Sequence, residues 1–412
     1  MAKYTIDEKI LKDLADAIRS KTGKTAPIVA SNFPSEIQAI PTGGSGGPSV
    51  PSAPTMHETV NFYDYDGTLL HSYSVEEAQT LSELPPLPEQ SGLICQGWNW
   101  SLEDIKTRNR AVNVGATYIT DDGTTRIYIR LEEGRTSPVL GVCPKGTVTV
   151  DWGDGTEPDV LTGSSETIVK YTPNHNYAAP GDYVIRLTVD GGISFYQGRI
   201  LSYAGSSTSN VDNAYRSSIQ KIELGAGSIA LRENAFSNCY SLASITIPEG
   251  VASISDNAFS GCYSLASITI PEGVTSIGNN AFSGCYSLSS ITIPEGVTSI
   301  GNNAFYNCNS LASITIPEGV TSISNNAFYN CYSLASITIP EGVTSISNNA
   351  FYNCYSIRFV DFSNHTAVPT LANTNAFTSI PADCEIRVPA ALYDEWIAAT
   401  NWSTYASQIV AV

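Results

Sequence analysis

The chain has 412 residues, of which 42% are hydrophobic and only 15% charged, and 21 basic against 39 acidic residues give a formal charge of −18. Nucleic acids and anionic membranes are bound through clustered Lys and Arg, so this charge argues against both as partners. The longest apolar runs fall short of the roughly 18 residues of a membrane-spanning helix, and the N-terminus lacks the apolar core of a signal peptide. We therefore expect a protein of two or three domains that folds in the cytoplasm.

Residues 1–40 predict one amphipathic helix followed by a short tail. Thr5 and Glu8 fit a capping box at its start, and Gly23 marks its end. The apolar stripe consists of Ile6, Ile10, Leu14, Ala17 and Ile18. Because a single helix of this size cannot fold alone, we expect the stripe to dock on another copy or on a larger assembly. Residues 41–55 are rich in Gly, Pro and Ser and predict a flexible linker.

Residues 56–142 predict a small β-rich domain with alternating strands and two short helices, at residues 74–83 and 101–109. Its segment Asp64-Tyr-Asp66-Gly-Thr matches the nucleophile motif of haloacid-dehalogenase-like phosphatases. That resemblance would make Asp64 the nucleophile and Asp66 the acid/base, with Mg²⁺ held near residues 121–122. However, only about 60 residues separate the two acidic pairs, too few for the parallel α/β sheet that this chemistry needs.

The triplet Asp-Gly-Thr occurs three times, at residues 66–68, 122–124 and 154–156, each time between strand-like runs. Asp-Gly is a common turn signal, so we interpret all three as turns.

Residues 143–195 combine a strand that runs into Trp152-Gly-Asp-Gly-Thr with a later His175-x-Tyr177 and Gly181-x-Tyr183. This pattern resembles the PKD-like, Ig-type β-sandwich. The resemblance implies that Trp152 and Tyr183 are packing and corner residues. It also implies that the module is a spacer or adhesive unit and carries no catalysis.

A 23-residue unit recurs over residues 218–356, so that six cysteines stand one period apart: Cys239, Cys262, Cys285, Cys308, Cys331 and Cys354. A fixed period of this length predicts a solenoid whose units bury their apolar faces only by stacking. Stacked rungs place equivalent Cβ atoms about 4.7–5 Å apart, whereas a disulfide needs roughly 3.8 Å, so we interpret the cysteines as core residues. We expect a mainly β chain with short helices.

The repeat, with its strand Ile-Thr-Ile-Pro, Glu-Gly turn, second short strand and helical turn, closely resembles the leucine-rich repeats of the BspA-like type. The resemblance implies a leucine-rich-repeat solenoid over residues 210–389. Residues 390–412, with Trp396 and Trp402, predict a helical C-terminal cap that closes the exposed apolar end.

Two positions of each helical turn vary among Ser, Tyr and Asn while the core positions hardly change. They give a candidate binding row: Tyr240, Tyr263, Tyr286, Tyr306, Asn309, Tyr329, Tyr332, Tyr352 and Tyr355. Tyr with Ser and Asn on a rigid frame is typical of recognition surfaces, and tyrosine rings suit sugars. Alternatively, each Tyr merely covers the neighbouring rung. Because no Lys or Arg occurs between Glu233 and Ile357, we do not expect this row to bind phosphate.

No catalytic or metal motif stands out. The four histidines are scattered, without metal-ligand spacing, and no nucleophile elbow, Walker loop or Rossmann fingerprint is present. We therefore predict a protein that is not an enzyme, with no cofactor and no metal.

The order of parts, with a short helix, a linker, two β modules and a distal repeat, is that of a fibre-like adhesin. The segments Ala15–Ile28, Val60–Leu70 and Gly97–Leu102 resemble tail and baseplate-associated proteins of bacteriophages. That resemblance implies a phage tail receptor-binding protein of the virion that is assembled in the host cytoplasm, and tail fibres are usually homotrimers. Residues 1–40 would attach it to other tail proteins, and its repeats would bind a glycan or protein of the host surface.

Two other functions stay open. The first is a bacterial cell-surface adhesin of the BspA-like class, which requires export. The second is a hydrolase of wall or capsule polymers, which needs a pair of carboxylates in a cleft. For that pair the repeat offers only its evenly spaced turn residue, exemplified by Glu249.

Overall fold

The computed structural model describes residues 59–108, 111–164, 169–170, 175–195, 200–203 and 215–412. The predicted N-terminal helix and the linker lie outside these residues. The fold class is confirmed, since the described chain is mainly β with a few short helices. None of the helices in these ranges is both long enough and apolar enough to span a bilayer.

The first part of the chain, which we call the small domain, is a four-stranded sheet in the order β2-β1-β4-β3 with two short helices. Its elements are β1 (Thr59–Tyr63), β2 (Leu69–Ser74), α1 (Val75–Thr80), β3 (Leu93–Trp98), α2 (Leu102–Arg108) and β4 (Val112–Thr120). Helix α1 starts in a capping box in which the Ser74 hydroxyl accepts from the Glu77 N–H, as its sequence indicates. Phe62, Trp98 and Val114 form its core with their neighbours.

An antiparallel region follows, built from long strands that cross the predicted boundary at residue 143. Its strands are β5 (Thr125–Leu131), β6 (Pro138–Asp151), β7 (Asp159–Ser164), β8 (Val169–Lys170), β9 (Gly181–Phe195) and β10 (Leu201–Tyr203). Strand β9 pairs antiparallel with both β5 and β6. Trp152 is buried here, stacks on His175 with ring centroids 4.6 Å apart, and donates its indole N–H to Asp159 at 2.8 Å.

The remainder of the described chain is a solenoid of about eight turns. Most turns contribute one strand to each of two ladders of parallel strands, and the turn around Ile314 contributes only to the second. The first-strand ladder consists of β11 (Ile219–Glu223), β13 (Ser244–Thr246), β15 (Ser267–Thr269), β17 (Ser290–Thr292), β20 (Ser336–Thr338), β22 (Phe359–Asp361) and β24 (Glu385–Val388). The second-strand ladder consists of β12 (Ser228–Leu231), β14 (Ser253–Ile254), β16 (Ser276–Ile277), β18 (Ser299–Ile300), β19 (Ser322–Ile323), β21 (Ser345–Ile346) and β23 (Thr370–Leu371).

The antiparallel region is continuous with the solenoid and closes its first turn. Strand β5 pairs antiparallel with β11, and β9 pairs in parallel with β12. Phe195 at the end of β9 packs on Phe236, the first phenylalanine of the repeats, with centroids 5.5 Å apart. Because a solenoid leaves an apolar surface at its end, these strands supply the N-terminal cap.

A stack of phenylalanines and cysteines fills the solenoid. Rings from Phe236 to Phe377 stack with centroids 5.1–5.5 Å apart. All nine cysteines of the chain lie within the described residues, and none of them forms a disulfide. Each repeat thiol from Cys262 onward donates to the carbonyl of a phenylalanine in the preceding turn at 3.2–3.3 Å. The interpretation of the repeat cysteines as core residues is confirmed.

Buried thiols make the solenoid sensitive to alkaline pH. Burial raises the pKa of Cys239 and Cys285 from 9.0 to about 12. Above pH 9 the unfolded chain loses these protons while the folded chain keeps them, so the stabilisation is complete below pH 9 and falls as the pH rises toward 12. We expect the urea midpoint of unfolding to drop between pH 9 and 11. In Cys285→Ala the drop should be smaller, and an equal drop in both proteins would contradict this explanation.

Asparagine supplies the left-handed backbone that each helical turn needs. Asn307 has φ = 59°, where the two preceding turns carry Gly261 and Gly284, both at φ = 76°. Gly and Asn are the residues that adopt this region most readily, which explains their exchange at this position.

Substitution at Asn307 tests this backbone requirement. Asn307→Gly should cost only about 1 kcal/mol, for the bond that its side-chain oxygen accepts from Asn330 at 2.7 Å. Asn307→Val should cost about 2–4 kcal/mol, because the strain of a β-branched residue at positive φ is added. Urea unfolding of both variants measures the difference, and equal costs would show that backbone conformation is unimportant here.

The C-terminal cap combines helical segments with a final strand. It contains the 3₁₀ turn Ala390–Leu392, α3 (Tyr393–Ala398), the 3₁₀ turn Trp402–Tyr405 and β25 (Ile409–Ala411). Trp396 and Trp402 are fully buried and pack on Phe362. The sequence predicts only the helical part. Strand β25 adds to the edge of β24, whose backbone groups would otherwise lie unpaired.

Candidate binding surface

The candidate row forms two stacked columns on the helical-turn face. The outer column is the residue after each repeat cysteine: Tyr240, Tyr263, Tyr286, Asn309, Tyr332 and Tyr355. The inner column is the residue after each repeat phenylalanine: Ser237, Ser260, Ser283, Tyr306, Tyr329 and Tyr352. Neighbouring tyrosine rings stack with centroids 4.7–5.3 Å apart and interplanar angles of 3–24°. The spacing follows from the parallel-strand repeat of the rungs.

The outer column is open to a partner, because Tyr263, Tyr286, Tyr332 and Tyr355 are 41%, 40%, 37% and 55% exposed. The inner column beside it is half-buried, apart from Ser237, which is buried. Stacking covers most of the ring faces, so the surface offers mainly ring edges and hydroxyls. Each ring therefore covers its neighbour, and the rings of the outer column also present an edge to solvent.

Two features set the chemistry of the row. Tyrosine hydroxyls are protonated at neutral pH, and burial, followed by the charges of neighbouring tyrosines, raises the pKa of Tyr263 and Tyr329 further, so the hydroxyls of the row are donors as well as acceptors. Asn309 interrupts the outer column, and its amide nitrogen donates to the carbonyls of Asn307 and Asn330 at 3.2 and 3.0 Å. The row is therefore an uncharged surface of hydrogen-bonding groups and aromatic edges.

The small domain packs on the outward face of the first-strand ladder, which is the second surface that could have bound a partner. The Asn99 amide donates to the Ile270 carbonyl at 3.2 Å and accepts from the Gly115 N–H at 2.6 Å. The Trp100 indole donates to the Ile293 carbonyl at 3.1 Å, and both Asn99 and Trp100 are fully buried. The glycosylation sequon that begins at Asn99 is therefore inaccessible in this fold.

Small side chains on both sides make this docking possible. The outward residues of the ladder under β4 are Ser and Thr, and β4 carries Gly115 above them. A Cβ at Gly115 would lie 2.5 Å from the hydroxyl oxygen of Thr292 and 2.6 Å from that of Thr269. This contact was not predicted from the sequence. Its signal was the small Ser/Thr pair shared by the first strands β13, β15, β17 and β20, which lets another domain approach closely.

The three Asp-Gly-Thr segments are turns, as interpreted from the sequence. In each, the Asp carboxylate accepts from the Thr N–H and the Gly has positive φ: Asp66 and Thr68 (2.9 Å), Asp122 and Thr124 (2.9 Å), and Asp154 and Thr156 (3.2 Å). Asp64, the nucleophile of the rejected motif, is buried and accepts from Gln90 at 2.6 Å. In the part of the chain that the structure describes, no three His, Cys, Asp or Glu residues could together hold a metal.

Stacked turns of strand, tight turn, short strand and helical turn define a leucine-rich-repeat solenoid. Residues 212–309 and 252–382 match the family model of the BspA type leucine-rich repeat region, and the repeats of this chain are of that type. A search of curated protein sequences gave no match.

Several solved structures are similar to parts of the chain. They include a leucine-rich repeat protein from Bacteroides ovatus ATCC 8483, 32% identical over 42% of this chain and 45% of that one, with a TM-score of 0.38. The T. pallidum leucine-rich repeat protein is 34% identical over 34% and 66%, with a TM-score of 0.33. A leucine rich cell surface protein from Faecalibacterium prausnitzii A2-165 is 26% identical over 41% and 60%, with a TM-score of 0.28. The chain thus spans between 45% and 66% of these proteins' lengths.

Proposed function

We propose that the protein is an adhesin that binds a glycan or protein of a bacterial surface through the tyrosine row. The exposed outer column carries this proposal, because it presents a tyrosine edge on every rung except that of Asn309, on a rigid stack. The small domain covers the Ser/Thr face beneath it, whereas the helical-turn face is open, and we therefore favour the helical-turn face for recognition.

The chemistry of the row supports a sugar or polar protein epitope. Tyrosine gives large contact area at a small entropic cost, and Ser and Asn add hydrogen bonds. Between Glu233 and Ile357 the sequence has no Lys or Arg, so long anionic polymers are disfavoured along the row.

For the biological setting we propose a phage tail, with residues 1–40 attaching the protein to the virion. This setting is supported by the resemblance of residues 15–28, 60–70 and 97–102 to tail proteins. The alternative is an adhesin of the bacterial cell surface, with which the BspA-type repeats are consistent. In both settings we propose binding without catalysis, so release of sugar from purified wall would contradict this part of the proposal.

Binding by the full chain tests the proposal and separates the settings. The purified full chain should bind host cells and compete with phage adsorption. The full chain is the appropriate protein, because β5 and β9 cap the first turn and a fragment starting near residue 210 would lack them. Absence of both binding and competition would overturn the proposal. Recovery of the protein from washed walls of a phage-free strain would instead favour the cell-surface setting.

A further inference from the structure

A cavity of 490 Å³ lies at the C-terminal end of the first-strand ladder. Its lining includes Ser356, Arg358, Phe359, Asp383, Glu385 and Arg387. Ser356 directly follows Tyr355, the most exposed tyrosine of the outer column, so the cavity begins where the tyrosine row ends. Its volume falls within the range of small-molecule sites.

The outward residues of the ladder change character at this cavity. In β20 they are still Ser336 and Thr338, as in the turns under the small domain, but β22 presents Phe359 and β24 presents Glu385 and Arg387. At these outward positions, small Ser and Thr side chains are therefore replaced by long charged and aromatic ones. The repeat itself does not require this change, because the inward residues of the same strands remain apolar.

The cavity also contains both cations of residues 233–412, Arg358 and Arg387. Arg387 is fixed, because its guanidinium stacks 4.0 Å over the Phe359 ring and donates twice to one Glu385 oxygen at 2.8 Å. Arg358 is exposed, and its guanidinium has no hydrogen bond or ion pair with any residue that the structure describes.

A second cavity, of 310 Å³, is also lined by two arginines, Arg130 and Arg135. Both are paired, Arg130 with Asp182 at 2.7 Å and Arg135 with Glu132 at 2.9 Å. The C-terminal cavity differs from it, because the Arg358 guanidinium there has no partner among the described residues.

We propose that this cavity binds one anionic sugar residue of the surface glycan, with Arg358 holding its carboxylate or phosphate group. Guanidinium matches the planar geometry of both groups and binds them through two parallel hydrogen bonds. Glu385 in the same cavity is already paired with Arg387, so Arg358 is the cation left to hold the anionic group. The next sugar residue of the same glycan then contacts the edge of the Tyr355 ring. This inference rests on the proposed adhesin function and names its ligand class.

Titration of the full chain with matched oligosaccharides tests the site. The probes are oligogalacturonate, its neutral methyl ester, and a glycerol phosphate polymer. We expect the acid to bind at least tenfold more tightly than the ester, and Arg358→Gln to abolish that preference. Arg186→Gln, an exposed arginine of the antiparallel region, is the matched control and should preserve it. If the phosphate polymer binds instead and depends on Arg358, phosphate is the group recognised.

Three outcomes would overturn the site: no preference for the acid or the phosphate polymer over the neutral ester, a preference that survives Arg358→Gln, or no binding of any probe by the unmodified chain. Thermal unfolding of Arg358→Gln should match that of the unmodified chain, because the side chain is exposed. Host-cell binding separates the two proposals. If cells are bound but neither anionic probe is preferred to the ester, the anionic site fails and the adhesin stands. If the full chain binds no host cell, the adhesin itself fails.

Discussion

Trp100→Ala is expected to lower the free energy of unfolding by about 3–5 kcal/mol and to release the small domain from the solenoid. Trp100 is fully buried, and its indole donates to the Ile293 carbonyl at 3.1 Å. The substitution removes a large apolar side chain and leaves a buried carbonyl without its donor. Urea unfolding measures the loss, and limited proteolysis should show cleavage between the small domain and the repeats.

The matched control is Leu87→Ala, because Leu87 belongs to the same domain but is 46% exposed. It should change the free energy of unfolding by less than about 0.5 kcal/mol, as surface substitutions usually do. Native-like protease resistance in Trp100→Ala would contradict the view that this residue holds the docked arrangement.

Phe305→Ala is expected to cost about 3–5 kcal/mol as well, for a different reason. Its ring lies in the middle of the phenylalanine stack, 5.5 Å from Phe282 and 5.4 Å from Phe328. A cavity there breaks the stack and weakens the interface between neighbouring turns, on which solenoid stability depends. Urea unfolding monitored by circular dichroism should show a lower midpoint.

The adjacent Tyr306→Ser is the control for Phe305→Ala. Three turns of this chain already carry Ser in the inner column, so the backbone accepts it there. We expect a cost of about 1 kcal/mol or less, since Tyr306 loses mainly its stacking on Tyr329. Similar costs for Phe305→Ala and Tyr306→Ser would show that the inner stack does not dominate stability.

The repeat could be predicted well from the sequence, because every turn has the same apolar spacing and the same backbone requirements. Equal spacing of Cys262, Cys285 and Cys308 was enough to predict stacked turns and a buried thiol ladder, and the structure has both. The exchange of Asn307 for Gly at the equivalent position of other turns likewise reflects a backbone requirement that operates within a single turn.

Contacts between distant segments could not be predicted in the same way. The bond from Trp100 to Ile293 joins residues 193 apart, and that from Asn99 to Ile270 joins residues 171 apart. Pairing of β5 with β11 similarly joins the antiparallel region to the solenoid. These contacts form between parts of the chain that are far apart in sequence. They depend on the shapes of the folded domains, which a local sequence pattern does not specify.

The candidate site was predicted only in outline. The varying positions indicated a surface row, but one-dimensional spacing did not show that rings such as Tyr263 and Tyr286 stack and cover each other's faces. The spacing also did not predict that Arg358 and Arg387 lie in one cavity, because they are on neighbouring turns in an irregular part of the repeat.

Host-cell binding by a tyrosine-row variant shows whether the row is the binding surface. In the full chain, Tyr263, Tyr286 and Tyr332 are replaced together by Asn, the residue that the outer column itself carries at position 309. Thr298→Ala, at an exposed position beside the second-strand ladder, serves as the control. We expect at least a tenfold loss of cell binding in the triple variant and unchanged binding in the control. Full binding by a folded triple variant would contradict binding through the row.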